Sequence, residues 1–283
     1  MALDDHETVL ALLRHRDVKA KRLNDGLTSI NFHERAFFKV RVAATTDVPS
    51  LRARTHPAAL HSHSLMWQAR WDDLSMQARG LFVEQVAEPP QTQMRWVVRG
   101  RSYHKFFYQD ERGVAFMARE HLPQMLHFPL TCFIKENGFL GIVFARPTPA
   151  GGAPELVVAS KSTTEGPFAE RVRSMVHEHL ARHGHTPAAL AARLLRDNVS
   201  LVFEAIDPVF DPHIIKYARA HLVLLDVISN QLSAFVRLPI AELRAFAAEY
   251  RFQCKRPYTT LATLAEYDTF HHRCLHDEVS PTY

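Results

Sequence analysis

Apolar and polar positions alternate with a period of two through much of the middle of this chain, and with a period near 3.6 in three later stretches. The run from Pro129 to Phe144 (PLTCFIKENGFLGIVF) is apolar apart from its centre, and Thr131, Phe133 and Lys135 alternate there with Cys132, Ile134 and Glu136. That alternation predicts a strand with Lys135 on the face of Phe133. A Pro- and Gly-rich loop, Arg146 to Pro154, separates this run from a second β-prone one, Glu155 to Lys161, so the two read as a hairpin. On the return strand Val157, Ala159 and Lys161 share a face. A third strand, Ser200 to Pro208, sets Val202, Glu204 and Ile206 on one face and Leu201, Phe203 and Ala205 on the other, and an apolar strand follows at His221 to Ile228.

Helical spacing appears at Phe168, Val172, Met175, Val176 and Leu180. Thr186-Pro187 opens another helix that runs to Asp197, and Pro239 opens a third with Ile240, Leu243, Ala247 and Tyr250 on one side. Residues 1–64 read as an extension: an amphipathic helix, a β-like stretch from Ser29 to Val42, and a Pro- and His-bearing loop from Thr45 to His63. Residues 65–283 form the main domain. Hairpins interrupted by helices predict an α+β fold of antiparallel sheets, not a doubly wound α/β sheet.

The centre of the first strand carries the chemistry. Lys135-Glu136-Asn137-Gly138 offers an amine able to reach a phosphorus atom, and a glycine that lets the backbone fold tightly beside a bound base. Such a four-residue string arises by chance in about one chain in ten of this length, and a surface turn is the competing reading. Lys161 is a second amine available to the same pocket, or a solvated strand end. Glu204 lies among apolar residues, where an unpaired carboxylate costs several kcal/mol. It accepts from a ribose hydroxyl, holds a divalent cation, or pairs with a core arginine. Arg79 and Lys105 suit a clamp on the β and γ phosphates of a nucleoside triphosphate, and read equally as surface cations. Tyr103, Phe106, Phe107 and Tyr108 read mainly as core, with base stacking as the second use.

Taken in order, Ala78-Arg79-Gly80, Lys105-Phe106-Phe107, Lys135-Glu136-Asn137-Gly138, Ser160-Lys161-Ser162-Thr163, Phe203-Glu204-Ala205-Ile206 and the His221 to Ile228 strand resemble the adenylyltransferase domain of ATP-dependent RNA ligases. The likeness is to the phage RNA ligase 1 type and the fungal-type tRNA ligases, over about residues 65 to 230. It implies a nucleotidyltransferase fold of antiparallel sheets flanked by helices, with ATP and Mg²⁺ as cofactors. Lys135 would be the nucleophile that holds AMP. Glu136, Asn137 and Gly138 would lie by the base and sugar, Lys161 by the phosphates, and Glu204 by the ribose and metal. Arg79 and Lys105 would orient the leaving pyrophosphate. RNA with 5′ phosphate and 3′ hydroxyl ends, tRNA halves included, would be the partner.

The resemblance also implies a later Glu-Gly-x-Val strand and a Lys-x-Lys pair. The last residues, His271 to Tyr283 (HHRCLHDEVSPTY), show neither, and Asp277-Glu278-Val279 is too slight a match. The nucleotide pocket is therefore expected to be C-terminally incomplete, through a truncated gene, a split enzyme completed by a second polypeptide, or a degenerate relative. The isolated chain is expected to bind ATP most robustly, to form lysyl-adenylate in part, and to seal RNA weakly or not at all. A capping-type guanylyltransferase, which also uses a lysine of this kind, is the other enzyme class.

Composition narrows little further. With 283 residues, 47% hydrophobic and 23% charged, the chain can bury a substantial core. A formal charge of +4 favours polyanionic partners mildly. The three cysteines fit neither a disulfide framework nor a zinc pattern, which points to a reducing compartment. His177, His179, His183 and His185 read as a solvated helix face, with His179 and His183 as helical neighbours. No apolar stretch reaches the roughly 20 residues of a membrane span. The N-terminus lacks the basic start of a cleavable signal, so an intracellular protein of the cytoplasm or nucleus, without membrane contact, is expected.

Overall fold

The computed structural model describes residues 4–33, 71–87, 93–111, 114–148, 151–212 and 215–276. The loop expected at Thr45 to His63, the end of the Ser29 to Val42 stretch and Asp277 to Val279 lie outside them.

Helix α1 (Asp5–Arg14) starts where Asp4 accepts from the Glu7 amide at 2.8 Å, and it buries Thr8, Val9 and Leu12. Strands β1 (Val18–Arg22) and β2 (Thr28–Phe32) follow. After the short helix α2 (Asp73–Gln77) come β3 (Leu81–Ala87) and β4 (Met94–Gly100). These strands make one antiparallel sheet in the order β1-β2-β3-β4. Val9, Leu12, Ile30 and Phe32 share a core with Leu81, Val83 and Val98. The N-terminal strands β1 and β2 thus lie in the same sheet as β3 and β4.

Two 3-10 turns and α3 (Leu122–Met125) lead to β5 (Leu130–Phe133), β6 (Phe139–Arg146) and β7 (Glu155–Ala159). Then come α4 (Pro167–Arg182), α5 (Pro187–Asp197), β8 (Val199–Ile206) and β9 (His221–Ser229). The last elements are α6 (Ile240–Glu249), β10 (Gln253–Cys254), β11 (Pro257–Leu261) and α7 (Leu264–Leu275). A five-stranded sheet has the order β10-β9-β8-β6-β7, and β11 pairs with β5. All pairings are antiparallel except β10 beside β9, a short parallel edge. The fold is α+β, as expected.

The run from Pro129 to Phe144 is not one strand. It divides into β5 and β6, which belong to different sheets, and Lys135 to Gly138 form the crossing between them. The amides of Ile134, Asn137 and Gly138 find partners outside any ladder (the Arg256 carbonyl, the Tyr217 hydroxyl and the Glu204 carboxylate), so strand pairing ends there.

The five-stranded sheet is covered on both faces. On one, Val143, Val158, Leu201, Phe203 and Ala205 pack against Val172, Val176 and Leu180 of α4, Leu190 and Leu194 of α5, and Leu243 and Phe246 of α6. On the other, Ile142, Phe144, Val157 and Ala159 meet Phe82 of β3 together with Leu23 and Leu27. The rings of Phe82 and Phe144 stack with centroids 5.3 Å apart. Glu204 alternates with the helix-facing Phe203 and Ala205, which directs its carboxylate to the side where the two sheets meet.

Candidate active site

Three distant residues, Tyr217, Arg256 and Glu204, hold the Lys135 loop. Glu136 is only 3% exposed; its carboxylate accepts from Tyr217 Oη at 3.2 Å and from Arg256 Nη2 at 3.3 Å. The same Tyr217 oxygen accepts the Asn137 amide at 2.9 Å, and the Arg256 carbonyl accepts the Ile134 amide at 2.9 Å. Gly138 donates its amide to Glu204 Oε1 at 2.9 Å, and a Cβ at this position would lie 2.3 Å from the Ala205 carbonyl. Close approach of two backbones, not a positive φ, is what requires glycine here. Lys135 itself is exposed, with Nζ 3.3 Å from the Glu136 carbonyl. The backbone is held by distant partners, and the amine turns back on the carbonyl of the next residue.

Arg79 enters this site from the turn after α2. Gly80 donates to Asn31 Oδ1 at 3.1 Å and adopts φ +61°, the left-handed conformation that favours glycine, and a Cβ there would also crowd Ile142 Cδ1 at 2.7 Å. The tight turn sets Arg79 near Glu204 and Tyr103. Burial pulls the guanidinium below its ordinary pKa, and the charges of Tyr103 and Glu204 oppose that. Arg79 Nη1 is buried and has no hydrogen-bond partner among the described residues, while its Cζ lies 5.0 Å from the Phe106 ring centroid. A buried guanidinium donor of this kind suits an anion. Lys161 borders the same turn: its carbonyl is 3.5 Å from the Cβ position of Gly80, and its Nζ lies 5.2 Å from the Phe32 ring.

Lys105 is differently placed. Its Nζ donates to the Phe106 carbonyl at 2.6 Å, pairs with Glu111 at 3.4 Å and sits over the Phe107 ring at 4.3 Å. Local partners hold this charge, and no hydrogen bond or ion pair joins it to Glu204, Arg79 or Lys135 among the described residues.

Further groups complete the wall. Asp226, 2% exposed on β9, accepts from Tyr103 Oη at 2.5 Å and Lys255 Nζ at 2.9 Å, with Arg237 Nη1 at 3.4 Å. Burial first, and the Asp226 charge second, push the Tyr103 hydroxyl well above its ordinary pKa. Tyr103 therefore anchors a hydrogen-bond network beside Arg79 in addition to packing. Lys255 stands over the Phe133 ring at 4.8 Å and adjoins Arg256, so one dipeptide binds both β9 and the Lys135 loop. Asp226 carried a readable signal, a lone carboxylate in an apolar strand, the same one that singles out Glu204. Tyr217 and Arg256 carried none.

Among the described residues no three His, Cys, Asp or Glu side chains converge to hold a metal ion, and no helix is long and apolar enough to cross a membrane. His179 and His183 lie on one helix face with ring centroids 4.6 Å apart, but His179 is only partly solvated: it contacts the Tyr250 carbonyl at 3.0 Å and stacks on Phe252.

Comparison with known proteins gives three findings. A family model described as RNA ligase matches residues 77–279. tRNA ligase 1 of Schizosaccharomyces pombe is 30% identical over 186 residues, which is 63% of this chain and 22% of that protein. Among solved structures, an archaeal ATP-dependent RNA ligase in its form 1 has a TM-score of 0.45 at 11% identity, covering 95% of this chain and 56% of that one; form 2 has 0.41 at 13%, covering 70% and 46%.

Proposed function

The chain belongs to the RNA ligase family, and from that premise we propose that it is an ATP-dependent nucleotidyltransferase that stores AMP on Lys135 and passes it to an RNA 5′ phosphate. The observation that carries the reading is the meeting of three sequence-distant groups: the Gly138 amide on the Glu204 carboxylate, and Arg79 beside that carboxylate with a buried donor that has no partner among the described residues.

In the first step Lys135 Nζ, having given up its proton, attacks the α phosphorus of ATP. A P–N bond forms, the bond from the α phosphorus to the bridging oxygen breaks, and pyrophosphate leaves. Arg79 receives charge on the departing phosphates, with Lys161 alongside, as a guanidinium fork and a point charge do. Glu136 is spent on Tyr217 and Arg256, so it acts by positioning the loop, while Asn137 and Gly138 line the nucleotide side. In the second step an oxygen of the RNA 5′ phosphate attacks the α phosphorus, the P–N bond breaks and the amine regains its proton. In the third a 3′ hydroxyl attacks the activated 5′ phosphate and AMP leaves.

A single carboxylate, Glu204, fits magnesium, which takes one or two carboxylates and fills its remaining positions with phosphate oxygens and water. The ion there would neutralise charge on the pyrophosphate. Asp226 does not serve, since Tyr103 and Lys255 occupy it.

Incubation with α-labelled ATP or GTP and magnesium, then denaturing electrophoresis, tests the choice of nucleotide. Label retained from ATP supports the reading; label retained from GTP and not ATP assigns the chain to guanylyl transfer instead.

A further inference from the structure

Away from the Lys135 loop, the face of α4 from Arg171 to Arg182 and the entries to β9 and β10 line a cleft of about 340 Å³. Its walls carry Arg171, Arg182, Arg219 and Arg251 against one carboxylate, Glu178. Arg171 is neutralised, because its Nε binds Asp207 Oδ2 at 2.6 Å and its Nη1 lies 3.8 Å from Glu178. The guanidinium groups of Arg182, Arg219 and Arg251 make no hydrogen bond or ion pair among the described residues, and all three residues are exposed. Three like charges brought to one concavity repel each other unless a polyanion shares it.

Arg251 adds an independent sign. Helix α6 ends with Phe252 N bonded to the Ala247 carbonyl at 2.8 Å and Arg251 N to the Ala248 carbonyl at 3.2 Å, a closure whose left-handed position is ordinarily glycine. Here arginine occupies it at φ +56°. A strained residue at the rim of a cleft, with its charge unspent, points to a use for that side chain. His221, which opens β9 on the same wall, has its ring 5.7 Å from that of Tyr217, and Tyr217 holds Glu136 and Asn137. The cleft is thus one side chain away from the loop that presents Lys135.

We propose that this cleft binds backbone phosphates of the single-stranded RNA substrate through Arg182, Arg219 and Arg251. The inference rests on RNA being the acceptor, as proposed above, and adds where the strand lies. Guanidinium groups suit phosphate oxygens because they donate in a planar fork, and interactions of this kind set register without reading sequence.

Fluorescence anisotropy with a labelled, 5′-phosphorylated oligouridylate, measured without ATP across a salt series, tests it. The triple variant Arg182→Ala, Arg219→Ala, Arg251→Gly is compared with the native chain, thermal melting serving as the control for folding. The glycine relieves the left-handed backbone, so the variant retains its fold. The expected result is affinity at least tenfold weaker, with a salt slope shallower by about 0.7 for each phosphate that is no longer neutralised, about 2 in all. Equal affinity and slope in both chains overturns the proposal. So does displacement of the RNA by inorganic phosphate at low millimolar concentration, which marks a small-anion site only. Since no nucleotide is present, failure here leaves lysyl-adenylate formation standing, and absence of covalent label from ATP leaves this binding result standing.

Discussion

The Gly138 amide and the Glu204 carboxylate are joined at 2.9 Å, which ties the start of β6 to the middle of β8 at the point where the chain leaves the Lys135 loop. Neither backbone can retreat, because Phe139 and Ala205 are already paired in the sheet. Gly138→Ala places a methyl 2.3 Å from the Ala205 carbonyl. Overpacking of that kind costs about 1–3 kcal/mol, read as a lowered Tm, and covalent labelling by ATP is expected to fall further than the loss of folded protein explains.

Glu204 separates structure from charge. Glu204→Gln keeps an acceptor for the Gly138 amide and removes the negative charge beside Arg79. The Tm should change little, while the rate of covalent labelling falls about 10²-fold, the scale on which removing one electrostatic partner slows a reaction. Labelling at the native rate would show that the charge is not used.

Asp226 is the structural carboxylate of the pair. Asp226→Ala strands Lys255, whose side chain is only 13% exposed, and leaves Tyr103 without its acceptor. Breaking one side of such a pair costs about 3–5 kcal/mol. Denaturant unfolding of Asp226→Ala, Lys255→Met and the double variant should give a cycle in which the double is far less destabilised than the sum of the singles. Additive losses would mean that the two residues act independently.

His104 gives the fold a pH dependence. Burial, and then the adjacent Arg101 guanidinium bonded to its ring, depress its pKa from 6.5 to about 4. The unfolded chain therefore binds a proton that the folded one refuses between those values. Its contribution to stability is present above pH 6.5 and falls away as pH drops toward 4. Discounted for partial exposure, the loss is about 1–2 kcal/mol. His104→Gln should flatten the stability profile across this window; an unchanged profile would place the titration elsewhere.

Local patterns were legible where local forces decide. The Pro- and Gly-rich loop specified the β6–β7 hairpin, Thr186 caps α5 by accepting from the Ala189 amide at 3.1 Å, and strand alternation put Glu204 on the side where the sheets meet. What escaped depends on partners far along the chain. The strand alternation expected from Thr131 to Glu136 does not carry through: β5 ends at Phe133, and Tyr217, Glu204 and the Arg256 carbonyl capture the next amides. Joining β1 and β2 to β3 crosses a long stretch of sequence that no periodicity reports. Lys105 stands out in the sequence by its type and neighbours, and those near neighbours, Glu111 and the Phe107 ring, are what its amine meets in the structure.

The decisive measurement is peptide mapping by mass spectrometry after incubation of the native chain with ATP and magnesium. Adenylate is expected on the peptide containing Lys135, labile to acid as a P–N bond is, and absent from the Lys135→Ala chain. Adenylate on another residue, or label that survives in Lys135→Ala, would contradict the assignment of Lys135 as the nucleophile.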